Sequence, residues 1–101
     1  VNLTNNEIYS IKLTSGEELV TKVLRVEDNE VVVIQSPLSV APGPQGFGLV
    51  TSLYTADPKS EARINSTGIT IMAPTEATIR AKYIEATTGI KLPAEKKIIL
   101  G

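Results

Sequence analysis

The sequence predicts a mainly β domain, a small and strongly bent barrel of about five antiparallel strands with one α-helix in the C-terminal half. Three observations predict it. Between Ile11 and Pro37, runs of β-branched and leucine residues are interrupted twice, each time by residues with turn chemistry. The strand between those interruptions is apolar on both faces. Beyond Thr75 the apolar spacing changes from that of a strand to that of a helix. With 101 residues a single domain over 1–101 is expected, with a core over 8–73, a helix over about 76–88 and a tail over 90–101.

Val1 to Glu7 is polar, and Thr4-Asn5-Asn6-Glu7 has the Thr-x-x-Glu spacing of a helix capping box. A helix begun there would run into the alternating Ile8–Leu13, so the segment reads as a lead-in with at most one helical turn. Ser15-Gly16 separates Ile11/Leu13 from Leu19/Val20 and supplies the positive φ that a hairpin turn needs. Glu27-Asp28-Asn29-Glu30 separates Val23-Leu24-Arg25-Val26 from Val31-Val32-Val33-Ile34 and makes the second turn. In the middle strand Leu19 and Val23 fall on one face, and Val20, Leu24 and Val26 on the other. Both faces must then be covered, by closure of a barrel or by another subunit.

After Pro37, the glycines and prolines of Leu38 to Gly48 predict a loop from near Val40. This loop lacks the Gly-Lys-Ser/Thr ending of a phosphate-binding P-loop. Gly48–Tyr54 reads as a fourth strand. Thr55–Ser66 is polar, begins its turn at Asp57-Pro58, and is expected to be exposed, with Arg63-Ile64 able to extend a strand. Thr67–Met72 alternates and reads as the fifth strand, ended by Pro74. Thr75 is a candidate N-cap, Glu76 suits the positive end of the helix dipole, and Gly89 suits the C-terminal stop. Ile79, Tyr83 and Ala86 share helical spacing, with Ala77, Ala81 and Ile84 beside them. The end, Ile90–Gly101, fits either a frayed tail or a final strand through Ile98-Ile99-Leu100, in this copy or on an adjacent subunit.

Composition narrows function. Ten basic and 11 acidic residues give a formal net charge of −1, so no global field draws the chain to nucleic acid or to an anionic membrane. With no cysteine and no histidine, thiol catalysis, thiolate metal sites and the commonest general base are excluded. Glu17 and Glu18 point to opposite faces of a strand and make poor acid/base partners. The acidic turn at Glu27–Glu30 lacks the ligand spacing of a calcium loop. No catalytic residue, metal or cofactor is expected, nor is a membrane span or a leader, and a soluble intracellular protein is the default. The patterns Asn2-Leu3-Thr4 and Asn65-Ser66-Thr67 match glycosylation acceptors only by accident in that setting.

The pattern Ile11-Lys12-Leu13-Thr14-Ser15-Gly16-Glu17-Glu18-Leu19, continuing through Val23 and Val26 to Glu27, resembles the first motif of the Sm-like (LSm) proteins. These are small bent-sheet barrels that form closed rings and commonly bind RNA. Leu13 to Val20 is also similar to short Sm-like proteins of tailed phages. The family usually carries a clear N-terminal helix, and the lead-in Val1 to Glu7 departs from that pattern. The resemblance implies a non-enzymatic homo-oligomeric ring built by edge-strand pairing, with single-stranded RNA as its ligand. It places the first RNA-facing loop at Glu27-Asp28-Asn29-Glu30-Val31, where Glu27 or Asp28 replaces the family's aspartate and Asn29 lies near its asparagine. It places the second at Ile71-Met72-Ala73, where Met72 replaces the basic residue and Ala73 the glycine. Both contacts are therefore altered. Arg25, Arg63 and Arg80 are candidates to line a pore, and Phe47, Tyr54 and Tyr9 to stack on bases. The rival readings are a structural or protein-docking module of phage origin without nucleic acid, and a small enzyme or ligand carrier with residues 41–48 as a lid.

Overall fold

The two turns read from the sequence set the geometry of everything around them. The structure, a computed structural model, describes residues 3–44 and 46–89. Strand β1 (Glu7–Leu13) reverses into β2 (Glu18–Glu27) at Gly16, whose φ of 95° is accessible to glycine without strain. The Gly16 N–H donates to the Leu13 carbonyl at 2.9 Å, and the Leu13 N–H to the Glu17 carbonyl at 2.8 Å. Strand β2 reverses into β3 (Val31–Gly43) through Asp28 and Asn29, at φ 51° and 58°, closed by the Glu30 N–H on the Glu27 carbonyl at 3.0 Å. Two consecutive positive φ values make a primed turn, whose twist matches that of the strands it joins.

Two irregularities bend this ribbon. Between the pairs Val23↔Ile34 and Arg25↔Val33, β2 carries an extra residue, Leu24. Side-chain alternation resets there, so Val26 joins Val23 on the inner face rather than Val20 on the outer one, as strict alternation predicts. Between Val20↔Leu38 and Lys22↔Gln35 the surplus lies on β3, at Ser36 and Pro37, and Ser36 sits at φ 53°. Proline is tolerated here because neither residue belongs to the ladder with β2.

Strand β3 continues through Val40 to Gly43, where a loop is expected. It hydrogen-bonds two strands end to end along its outer side. Over Leu38–Gly43 it pairs with β4 (Gly46–Thr51), and over Val31–Gln35 with β5 (Glu61–Asn65). A single 3-10 turn, Ser66–Gly68, leads to β6 (Ile69–Pro74), which pairs with β1. The result is a six-stranded antiparallel sheet of order β4-β3-β2-β1-β6, with β5 also on β3.

No ladder among the described residues joins β5 to β6, so the predicted barrel is not closed. The topology explains this. Four successive antiparallel pairings leave β5 and β6 running in the same sense, and so short a connection cannot bring parallel neighbours into register. The turn is instead tied down at both sides: the Ser66 N–H donates to the Glu30 carbonyl at 2.7 Å, and the Thr14 N–H to the Gly68 carbonyl at 2.9 Å.

Both faces of β2 are covered, but the outer cover is the chain's own helix. On the inner face Tyr9, Ile11, Leu19, Val23, Val32 and Ile34 form one cluster, joined by Ala62 and Ile64 of β5 and Ile69 and Met72 of β6. On the outer face Ile8 and Val20 pack against Tyr83 of helix α1 (Ala77–Thr88), with Leu38, Val40, Leu49, Ile79 and Ile84 around them. The N-cap is Glu76 rather than Thr75. Its carboxylate accepts from the N–H groups of Thr78 at 2.7 Å and Ile79 at 3.4 Å, and these bonds hold its pKa below the ordinary value. Thr75 faces β1 instead, with its N–H on the Ile8 carbonyl at 3.1 Å and its hydroxyl 2.9 Å from that of Ser10. Gly89, at φ 80°, caps the helix as expected, whereas Ala86 is exposed. Glu7 belongs to a strand and not to a capping box. Its carboxylate accepts from the Ile8 N–H and from the Arg80 guanidinium, which lower its pKa in that order. The expected alternatives for Ile90–Gly101 lie outside the described residues. No described helix is long and apolar enough to cross a membrane.

Candidate nucleic-acid interface

Arg25 and Glu27 lie two apart on β2 and so share a face unless a bulge intervenes, and β5 brings Glu61 and Arg63 alongside them. The four side chains close into a ring of charges. Arg25 makes a bidentate contact with Glu61 at 3.0 and 2.8 Å and reaches Glu27 at 3.2 Å. Arg63 approaches Glu27 at 3.3 Å and Glu61 at 3.7 Å. The hydrogen bond from Arg63, followed by that from Arg25, holds the Glu27 carboxyl below its ordinary pKa; Arg25 does the same for Glu61, and Glu61 in turn raises the pKa of Arg25. Two cations and two anions cancel. The arginines named as candidates to line a pore are engaged by carboxylates at the surface, an arrangement worth little in water but sufficient to fix where the guanidinium groups point.

Asp28 and Asn29 are exposed at the tip of the β2–β3 turn. Beside them, through the bond from Ser66 to Glu30, lies the polar turn Asn65-Ser66-Thr67, where the Asn65 carboxamide oxygen accepts from the Thr67 N–H at 3.1 Å and its hydroxyl at 3.0 Å. Met72, by contrast, packs on the inner apolar cluster opposite Ile11 and does not approach the tip. The expected second loop is thus displaced from Ile71-Met72-Ala73 to Asn65–Gly68. The polar break between Ile64 and Ile69 is the sequence signal that marks it. Arg80 is committed to Glu7 at 3.1 Å. Tyr9 is buried and its hydroxyl accepts from the Thr4 N–H at 2.9 Å, while Phe47 and Tyr54 are 53% and 82% exposed.

Among the described residues, no group of three or more acidic side chains is placed to hold a metal ion. Two open grooves border α1. One, of about 330 Å³, lies between the β3 bulge, residues 56–62 and the helix end; the other, of about 380 Å³, lies between β4 and α1.

Among the described residues, the two outermost strands of the sheet, β4 and β6, each pair on one side only. No charged residue occurs from Val31 to Ala56 or from Ile64 to Thr75, so neither strand carries the charges that commonly guard a free edge. Phe47 and Val50 on β4 and Ile71 on β6 are exposed.

The fold and site define a small antiparallel β domain with a helix packed on its outer face and two polar turns at one end. Compared with known proteins, the chain matches no family model and no curated protein.

Proposed function

We propose that the chain is a non-enzymatic Sm-like protein that assembles into a closed homo-oligomeric ring, the free edge of β4 in one copy pairing with the free edge of β6 in the next. The observation that carries this is the pair of uncharged terminal strands. They stand at opposite ends of one sheet and, among the described residues, each has an unpaired edge and exposed apolar side chains. Pairing unlike edges is a heterologous contact, which propagates from copy to copy and closes when the rotation per subunit divides a full turn. It also satisfies edge groups that otherwise invite aggregation.

Single-stranded RNA is the ligand the Sm resemblance implies, and the paired turns at Asp28-Asn29 and Asn65–Thr67 are the place for it. Repetition around a ring multiplies a weak site. With Arg25 and Arg63 held by Glu27 and Glu61, contact there rests on amides and hydroxyls more than on phosphate neutralisation, so its salt dependence is shallow. The same neutral quartet favours the second reading, a structural or docking module of phage origin.

Light scattering coupled to size exclusion tests the ring: several subunits are expected, and a monomer at micromolar concentration overturns it. Fluorescence anisotropy with oligo-U and oligo-A at two salt concentrations tests the ligand, and no binding at low salt selects the docking module.

A further inference from the structure

Pairing of β4 with β6 continues one sheet from copy to copy, so each side chain keeps its face, and the faces are fixed by the registers. On β1, Ile8 lies on the helix side, and the regular ladder with β2 puts Ser10 opposite Val20 and Lys12 opposite Glu18 on that same side. Ile71 pairs with Lys12 and is therefore on the helix side of β6, where it is 61% exposed. On β4, Leu49 pairs with Val40 and Phe47 with Pro42, and Leu49 and Val40 pack beneath α1. The helix side of β4 opens into the groove between strand and helix, lined by Phe47, Leu49, Ile79, Lys82 and Ala86.

We infer that Ile71 of one copy is the apolar anchor that fills the β4–α1 groove of the next. This rests on the ring reading and names its specificity determinant. The groove suits that occupant. Phe47 and Leu49 of β4 and Ile79 and Ala86 of α1 give it an apolar lining. Its one charged residue, Lys82, can lay its methylenes on an isoleucine while its ammonium stays in water. The arriving Lys12 already faces Glu18 at 3.8 Å, so it brings its own counter-charge to the neighbourhood of Lys82. Helix α1 thereby gains a second purpose: besides covering β2, it forms one wall of a socket. A flat edge-to-edge pairing would leave Ile71, Phe47 and the groove in water; the anchored pairing buries all three.

The test uses the absence of cysteine from the chain. Purified Ile71→Cys and Ala86→Cys chains are mixed, oxidised under mild conditions and run without reductant, beside a control mixture of Ile71→Cys with Lys59→Cys. Disulfide-linked heterodimers are expected in the first mixture well above the control. In parallel, Ile71→Asp is examined by light scattering and circular dichroism, and a weakening of the contact by about tenfold or more is expected at an unchanged spectrum. If wild-type protein is a monomer, the ring falls and this inference with it. If wild-type protein is a ring, but the Ile71/Ala86 pair does not cross-link above control, the ring stands and the inference is overturned. Should Ile71→Asp fail to fold, the cysteine pair alone decides.

Discussion

Removing one oxygen atom, by Tyr83→Phe, tests how the helix is held to the sheet. Tyr83 is 3% exposed, and its hydroxyl sits at the β3 bulge. It accepts from the Lys22 N–H at 3.1 Å and lies 3.0 Å and 2.8 Å from the carbonyls of Gln35 and Ser36, to which it donates. The phenol therefore bridges an amide of β2 and two carbonyls of β3 beside the bulge. Phenylalanine keeps the ring and its packing on Ile8 and Val20 but strands the Lys22 N–H, and an unsatisfied buried donor costs about 1–3 kcal/mol. The Gln35 carbonyl still has the Thr21 hydroxyl at 3.0 Å, so the middle of that range, about 2 kcal/mol, is the expected loss. For a domain of this size that lowers the melting temperature by roughly 8–16 °C. Tyr83→Ala, which also removes the ring, is expected to cost about 3–5 kcal/mol. Urea unfolding at one fixed protein concentration measures both, since assembly makes apparent stability depend on concentration. If Tyr83→Phe falls within about 0.5 kcal/mol of wild type, well below the cost of a stranded donor, the hydroxyl does not pin the bulge and the reasoning fails.

Three further outcomes are expected. Asn29 occupies φ 58° in a primed turn, so Asn29→Gly relieves a left-handed conformation and should stabilise the protein by about 0.5–1 kcal/mol in the same urea assay. Replacing Glu27 and Glu61 together with glutamine frees both arginines; if RNA binds at the turns, anisotropy should show tighter oligo-U binding and a salt slope steeper by about 0.7 for each arginine that reaches a phosphate. Glu7, Glu27, Glu61 and Glu76 all have folded pKa values below the ordinary 4.5, so protonation favours the unfolded chain. Their stabilisation is complete above pH 4.5 and is lost as pH falls through the lowered values, which thermal melts across that interval should show.

The parts of the fold legible in the sequence were those whose cause is local. Gly16 and Asp28-Asn29 announce their turns because few residues adopt their backbone angles, and Gly89 announces the helix end for the same reason. Proline misled where tertiary context exempted it. Pro37 sits in a bulge and Pro42 on a hairpin beyond the reach of β2, so neither removes a ladder bond that β2 requires, and β3 runs on through both. Strand β5 was hidden because only Ala62 and Ile64 face inward while Glu61, Arg63 and Asn65 are exposed, a pattern that also fits a loop. Apolar residues on both faces of β2 demand a cover without saying which: barrel closure, a neighbouring subunit and the chain's own helix each meet the demand, and α1 is the one that does. At the candidate site, Arg25, Glu27 and Arg63 were identified singly. The quartet they form with Glu61 is not legible in the sequence, because Arg25 and Glu61 are 36 residues apart in the chain and meet only through the pairing of β5 with β3.

Strand β3 works as a rail on which β4 and β5 ride in tandem. Thr51 and Glu61 sit opposite Leu38 and Gln35, three residues or about 10 Å apart along that rail. The residues from Ser52 to Ser60 are therefore a detour between two nearby docking points. A shorter bridge would leave both ladders in register, and a long insertion would protrude without disturbing either. This is the natural place to splice in a tag, a fluorophore or a whole guest domain.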